Sequence, residues 1–135
     1  MYNSILVPVS FDADRDAEKA VSVAQALLAE GGRMSLLHVV EHLPQYSADL
    51  LPADHFEIAK ATITEKLQPL TEGLDGVAIE IVEGHSGRTI LDYAASHDVD
   101  CIVIASHRPG LQDYLLGSTA ARVVRHSPCS VHIVR

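Results

Sequence analysis

The stretch Cys101-Ile102-Val103-Ile104-Ala105, running into Ser106-His107-Arg108-Pro109-Gly110, decides the fold. Five apolar residues in a row, with no polar alternation, suit a strand covered on both faces, as in a parallel sheet flanked by helices. The polar turn ends that strand. An amphipathic stretch then leads to Gly117-Ser118-Thr119, which opens a helix running to His126, and a last apolar strand covers Ser130–Val134. Small residues between a buried strand and a helix N-terminus suit a phosphate, because unpaired backbone N–H groups converge there and the helix dipole favours an anion. Glycines in such loops also serve the turn alone, and both readings stand at this point.

Working towards the N-terminus, the same alternation of strand and helix repeats. Residues 4–9 hold a near-continuous apolar run, Ile5-Leu6-Val7-Pro8-Val9, with Pro8 near its end where a missing N–H is tolerated. Asp14, Asp16 and Glu18 enrich the next segment's first turn in acid, as a helix N-terminus prefers. Ala17, Ala20, Val21, Ala24, Leu27 and Leu28 then recur at three- and four-residue spacing, and Gly31-Gly32 is expected to end that helix. A second strand is predicted over 34–40, an irregular loop over 41–52, and a helix over 53–70 with Phe56, Ala59, Ile63 and Leu67 on one face. A strand over 77–82, the turn Gly84-His85-Ser86-Gly87, and a helix over 88–97 with Ile90, Leu91, Ala94 and Ala95 inward complete the series. The order β-α-β-α-β-α-β-α-β predicts a single α/β domain spanning 1–135, a parallel sheet with helices on both faces and right-handed crossovers. Ligands in such folds bind beyond the C-terminal strand ends, where strand order reverses.

Composition narrows the function classes. With 47% apolar residues, no Trp and only two Phe among 135, the core is built from Val, Ile, Leu and Ala. Net charge is −8, from 18 acidic residues against 10 basic, so the surface repels nucleic acid backbones. No stretch approaches the ~20 apolar residues that span a bilayer, and the opening run reads as a strand rather than a leader. A cytoplasmic protein is expected. Cys101 within one strand and Cys129 just before another fit buried thiols in a reducing compartment, not a disulfide framework.

Three loops are expected to converge at the C-terminal edge of the sheet, those following the first, second and fourth strands, with the start of the last helix alongside. Pro8, Val9, Val39 and Ile104 offer apolar walls for an adenine ring. Gly117 lets backbone approach phosphates, to which the Ser118 and Thr119 hydroxyls donate, with His107, Arg108 and Gly110 in the turn behind the fourth strand. Asp12 is an acceptor for an exocyclic amine or a ribose hydroxyl, with Ser10 a weaker candidate. Helix capping is the competing reading for Asp12, Ser118 and Thr119. The eight histidines are scattered without HExxH spacing and the cysteines lack CxxC spacing, so no metal centre is expected; His126 suits the dipole at a helix C-terminus. A Walker A sequence, a GxGxxG fingerprint and a GxSxG elbow are all absent. Nucleotide binding without efficient turnover is the better reading.

Ile5-Leu6-Val7-Pro8-Val9, Leu37-His38-Val39, the glycine-led segment 84–94, Ala105-Ser106-His107-Arg108-Pro109, Tyr114-Leu115-Leu116-Gly117-Ser118, Val123-Val124-Arg125-His126 and residues 129–135 together resemble the universal stress protein family over essentially the whole chain. The likeness is to short single-domain bacterial members of the ATP-binding type. It implies a three-layer α/β/α sandwich, adenine nucleotide alpha hydrolase-like, with a five-stranded parallel sheet in order 3-2-1-4-5. Nucleotide-binding members carry a Gly-x2-Gly-x9-Gly-Ser/Thr motif. Here its first glycine falls on Ala105 and its last pair on Gly117-Ser118, the middle run Arg108-Pro109-Gly110 is one residue shorter, and Ser10 stands where the family has Asp. The resemblance implies a cytoplasmic stress-response regulator that binds ATP (or AMP or ADP, with or without Mg) and does not turn it over rapidly, with Ser130 added to the binding set. It also implies a homodimer through the last strand, adhering by Val131, Ile133 and Val134, or a tetramer. The alternative is a module with no nucleotide that regulates a protein partner such as a transporter or a sensor.

Overall fold

The computed structural model describes residues 1–10, 17–106 and 117–135. Five strands, β1 (Tyr2–Pro8), β2 (Leu28–Val40), β3 (Val77–Glu83), β4 (Cys101–Ala105) and β5 (Ser130–Val134), form one parallel sheet in the order β3-β2-β1-β4-β5. The helices are α1 (Ala17–Leu27), the short α2 (Gln45–Ala48), α3 (His55–Leu67) with a 3-10 turn at Gln68–Thr71, α4 (Ser86–Ser96) and α5 (Ser118–His126).

The unbroken apolar runs are explained by two cores. Alternate residues of β1 point to opposite faces: Ile5, Val7 and Val9 join Met34, Leu36, Cys101 and Val103 under α1 and α3, whereas Leu6 joins Leu37, Ile102 and Ile104 under α4 and α5. Ala20, Val21, Ala24 and Leu67 close the first core, and Ile90, Ala94, Ala120 and Val123 the second. The sheet is thus covered on both sides, with β1 central.

Several boundaries move. Leu28 starts β2 instead of continuing the helix, and Gly31-Gly32 lies within the strand's irregular beginning. Pairing jumps from Tyr2↔Leu28 to Ser4↔Arg33, so residues 29–32 are looped out, with Gly31 at φ +77°. The segment expected to be irregular carries α2. The helix expected over 53–70 stops at Leu67, because Pro69 has no N–H to donate and the chain tightens into the 3-10 turn. Helix α4 starts at Ser86, and Ala95 is exposed: five residues from Ile90, it lies about 140° around the helix from the buried face.

Strand β5 stands at one edge of the sheet. Val131 and Ile133 are partly buried against the second core, and Val134, expected on the adhesive edge, is buried in the first. Asp100, just ahead of β4, accepts hydrogen bonds from the Asn3 N–H (2.9 Å) and the Ser4 N–H (3.0 Å), tying β4 to the start of β1. No described helix is long and apolar enough to cross a membrane.

Candidate functional site

A cavity of about 390 Å³ opens at the C-terminal ends of β1, β2 and β4, where the strand order reverses. Parallel pairing makes this convergence obligatory: Pro8 lies level with Leu37, so the chain leaves β1 and β2 at the same end of the sheet. The exit from β1 is pinned. Val9 N–H donates to the Leu37 carbonyl (2.8 Å), and His38 Nδ1–H donates to the Val9 carbonyl (2.8 Å).

Eight of the expected site residues line the cavity: Pro8, Val9, Ser10, Val39, Ile104, Ala105, Ser118 and Thr119. Gly117 is the residue preceding α5, with a φ of −63° that any residue adopts, so its contribution is the absence of a side chain. Its N–H donates to the Ser106 carbonyl (2.8 Å), joining the exit of β4 to the entrance of α5. Asp12, His107, Arg108 and Gly110 lie outside the described residues. Ser130 is not brought to this edge. It pairs with Cys101, whereas Ala105, at the cavity, pairs with Val134, so Ser130 sits at the opposite end of β5.

The structure adds residues from a fourth loop, the one between β3 and α4. Ser86, the first residue of α4, lines the cavity, and its Oγ lies 3.0 Å from Thr119 Oγ1. Glu41, just past β2, faces the same place: its Oε1 accepts from the Ser86 N–H (3.2 Å), and its Oε2 lies 3.8 Å from His85 Nδ1. A carboxylate at the first N–H of a helix is a favourable arrangement with the helix dipole. The turn Gly84-His85-Ser86-Gly87 was visible in the sequence, and its place after a strand was the signal that it belongs to the ligand edge. Ala17, Ala20, Leu37 and Ile90 complete the walls. The walls therefore combine apolar side chains with hydroxyls, those of Ser86, Ser118 and Thr119 standing at the N-termini of α4 and α5. Among the described residues no group of three or more His, Cys, Asp or Glu is placed to hold a metal ion.

A model of the universal stress protein family matches residues 1–135. The chain belongs to that family. Among its members, universal stress protein G of Salmonella typhimurium is 30% identical over 142 residues, covering all of both chains. The structure of hypothetical protein MJ0577 superposes with a TM-score of 0.81 at 26% identity, covering 99% of this chain and 96% of that one. A universal stress protein in complex with cAMP gives a TM-score of 0.71 at 22% identity, covering 99% and 97%. One from Archaeoglobus fulgidus in complex with dAMP gives 0.67 at 20%, covering 99% and 98%. The last two share the fold with this chain.

Proposed function

We propose that this stress protein is a regulator that binds an adenine nucleotide in the cavity at the C-terminal edge of the sheet. One observation carries the reading. The cavity combines apolar walls from Pro8, Val9, Val39 and Ile104 with the Ser118 and Thr119 hydroxyls at the N-terminus of α5. Its volume of about 390 Å³ falls in the range of small-molecule sites, roughly 300–1,000 Å³. A flat base gains burial against the apolar walls, and a phosphate gains N–H and O–H donors and the positive end of the helix dipole at the N-terminus of α5. Two proteins of the same fold that hold cAMP and dAMP support the class of ligand.

ATP is sensed here rather than rapidly hydrolysed. The P-loop lysine has no counterpart in the sequence. The one carboxylate among the described lining residues, Glu41, is engaged by the Ser86 N–H and stands beside His85 instead of being free to activate water. The protein acts in the cytoplasm as a homodimer built on the free edge of β5. Burying that edge satisfies backbone groups that no described strand pairs.

The competing reading, a protein-interaction module with no nucleotide, is favoured by exposed apolar side chains between β2 and α3: Leu43, Tyr46, Leu50 and Leu51. Native mass spectrometry of the protein purified without added nucleotide separates the two. A retained adenine nucleotide is the expected result. Bare protein that also takes up no ATP in titration defeats the nucleotide reading and leaves the interaction module.

A further inference from the structure

A second cavity, of about 400 Å³, adjoins the first and shares Glu41, Ser86, Ser118 and Thr119 as its wall. Its remaining lining is of a different kind: His85, Gly87, Arg88 and Arg122. Two arginines thus line one hollow in a chain of net charge −8. Neither is engaged by a carboxylate among the described residues.

Arg122 is held at this place by packing. A Cβ on Gly87 would lie 2.8 Å from Arg122 Cδ and 3.4 Å from its Cβ and Cγ, so the arginine stem rests against backbone that glycine leaves open. Glu41 is the only carboxylate on the described walls of either cavity. It already occupies the Ser86 N–H, which shows that this amide accepts an anionic partner. Its side chain is 60% exposed, so it can turn out to solvent when a stronger anion arrives.

The two hollows together match a ligand that is apolar at one end and carries several negative charges at the other. A first phosphate ends at the shared hydroxyl wall. Beyond that wall, among the described residues, lies the cationic hollow. We propose that the cavity between α4 and α5 is a polyphosphate subsite in which Arg88 and Arg122 take the terminal phosphates, so that the protein selects nucleoside di- and triphosphates over monophosphates. The proposal rests on the nucleotide reading above. Arginine suits the task because its planar fork of donors matches phosphate oxygens. Glu41 opposes it by like charge and sets a limit on the affinity gained.

Calorimetric titration of AMP, ADP, ATP and inorganic tripolyphosphate tests this on the wild-type protein and on Arg88→Gln, Arg122→Gln and Glu41→Gln. ATP is expected to bind wild-type protein about tenfold more tightly than AMP, a difference of the size that one charge-assisted contact supplies. Either arginine substitution reduces ATP and tripolyphosphate affinity by about tenfold, with a loss that shrinks as phosphates are removed. Glu41→Gln strengthens tripolyphosphate binding. Wild-type protein that holds AMP as tightly as ATP, or arginine variants that lose AMP and ATP equally, would overturn the subsite while leaving the adenine pocket standing. Arginine-dependent tripolyphosphate binding, with ATP bound no more tightly than tripolyphosphate, supports the subsite and overturns the adenine pocket. Binding of none of the four ligands overturns both.

Discussion

Ser86 Oγ lies 3.0 Å from Thr119 Oγ1, and this hydrogen bond between residues 33 apart in sequence locks together the N-termini of α4 and α5. Each hydroxyl sits in the first turn of its helix, so the pair brings two helix N-termini to one place, with Glu41 already on the Ser86 N–H. Replacing either residue with Ala should cost about 0.5–1.5 kcal/mol, the net worth of one hydrogen bond. The double variant Ser86→Ala/Thr119→Ala should cost less than the sum of the singles, because both singles remove the same bond. Urea unfolding of the four proteins measures the coupling; strict additivity would mean that the bond contributes nothing.

Gly117 stands before α5 with ordinary helix-flanking geometry, so a side chain there is tolerated by the backbone. Gly117→Val should therefore fold and yet lose ATP binding, because its branched side chain fills the approach to the N-terminus of α5. Equal calorimetric affinity for ATP in the folded variant would remove Gly117 from the site.

Burial pushes the Cys101 thiol up from 9.0 to about 11, with the negative charges of a Cys129 thiolate and of Asp100 adding to the effect. The folded state thus favours the protonated thiol, and the unfolded chain releases its proton first as pH rises. The stability this group contributes is complete below pH 9 and is lost as the pH rises towards about 11. At pH 8 a thiol-specific disulfide reagent should modify the partly exposed Cys129 readily and Cys101 only after unfolding. Two fast thiols per native chain would contradict the packing at the start of β4.

Asp100 accepts from the N–H groups of both Asn3 and Ser4, and Ser4 is buried. Asp100→Ala leaves these donors without the carboxylate. A loss of about 1–3 kcal/mol is expected, measured as a lower urea midpoint with unchanged slope. Asp100→Asn should recover part of it, since one amide oxygen still accepts.

The proposed dimer would rest on the outer edge of β5, where Ile133 is only partly buried within the chain. Ile133→Lys should shift the protein to monomer in light scattering by placing a charge beside the pairing edge. Persistence of the wild-type assembly would move the interface elsewhere.

The sequence by itself determined the class of fold, because chemistry read locally is enough for it. Unbroken runs such as Ile5-Leu6-Val7 and Ile102-Val103-Ile104 demand cover on both faces, and the intervening helical periods supply that cover. The same local reading brought eight of the expected residues to one cavity, since parallel strands must deliver their C-terminal loops to one edge. It misjudged the helix stop at Gly31-Gly32, where strand pairing with Tyr2 outweighed the helical spacing of Leu27 and Leu28. Ser130, which the resemblance added to the binding set, lies away from the cavity, because it is the first residue of a parallel strand whose last residues reach the ligand edge. The meeting of Ser86, Glu41, Arg122 and Thr119 was decided only by the tertiary structure. After β3, at one edge, the chain must cross beneath β2 and β1 to reach β4, and that crossover lays α4 beside α5. Nothing within the turn 84–87 or the helix that starts at Ser118 specifies the other. Their contact is a consequence of strand order, and strand order is set by how the whole apolar surface is buried.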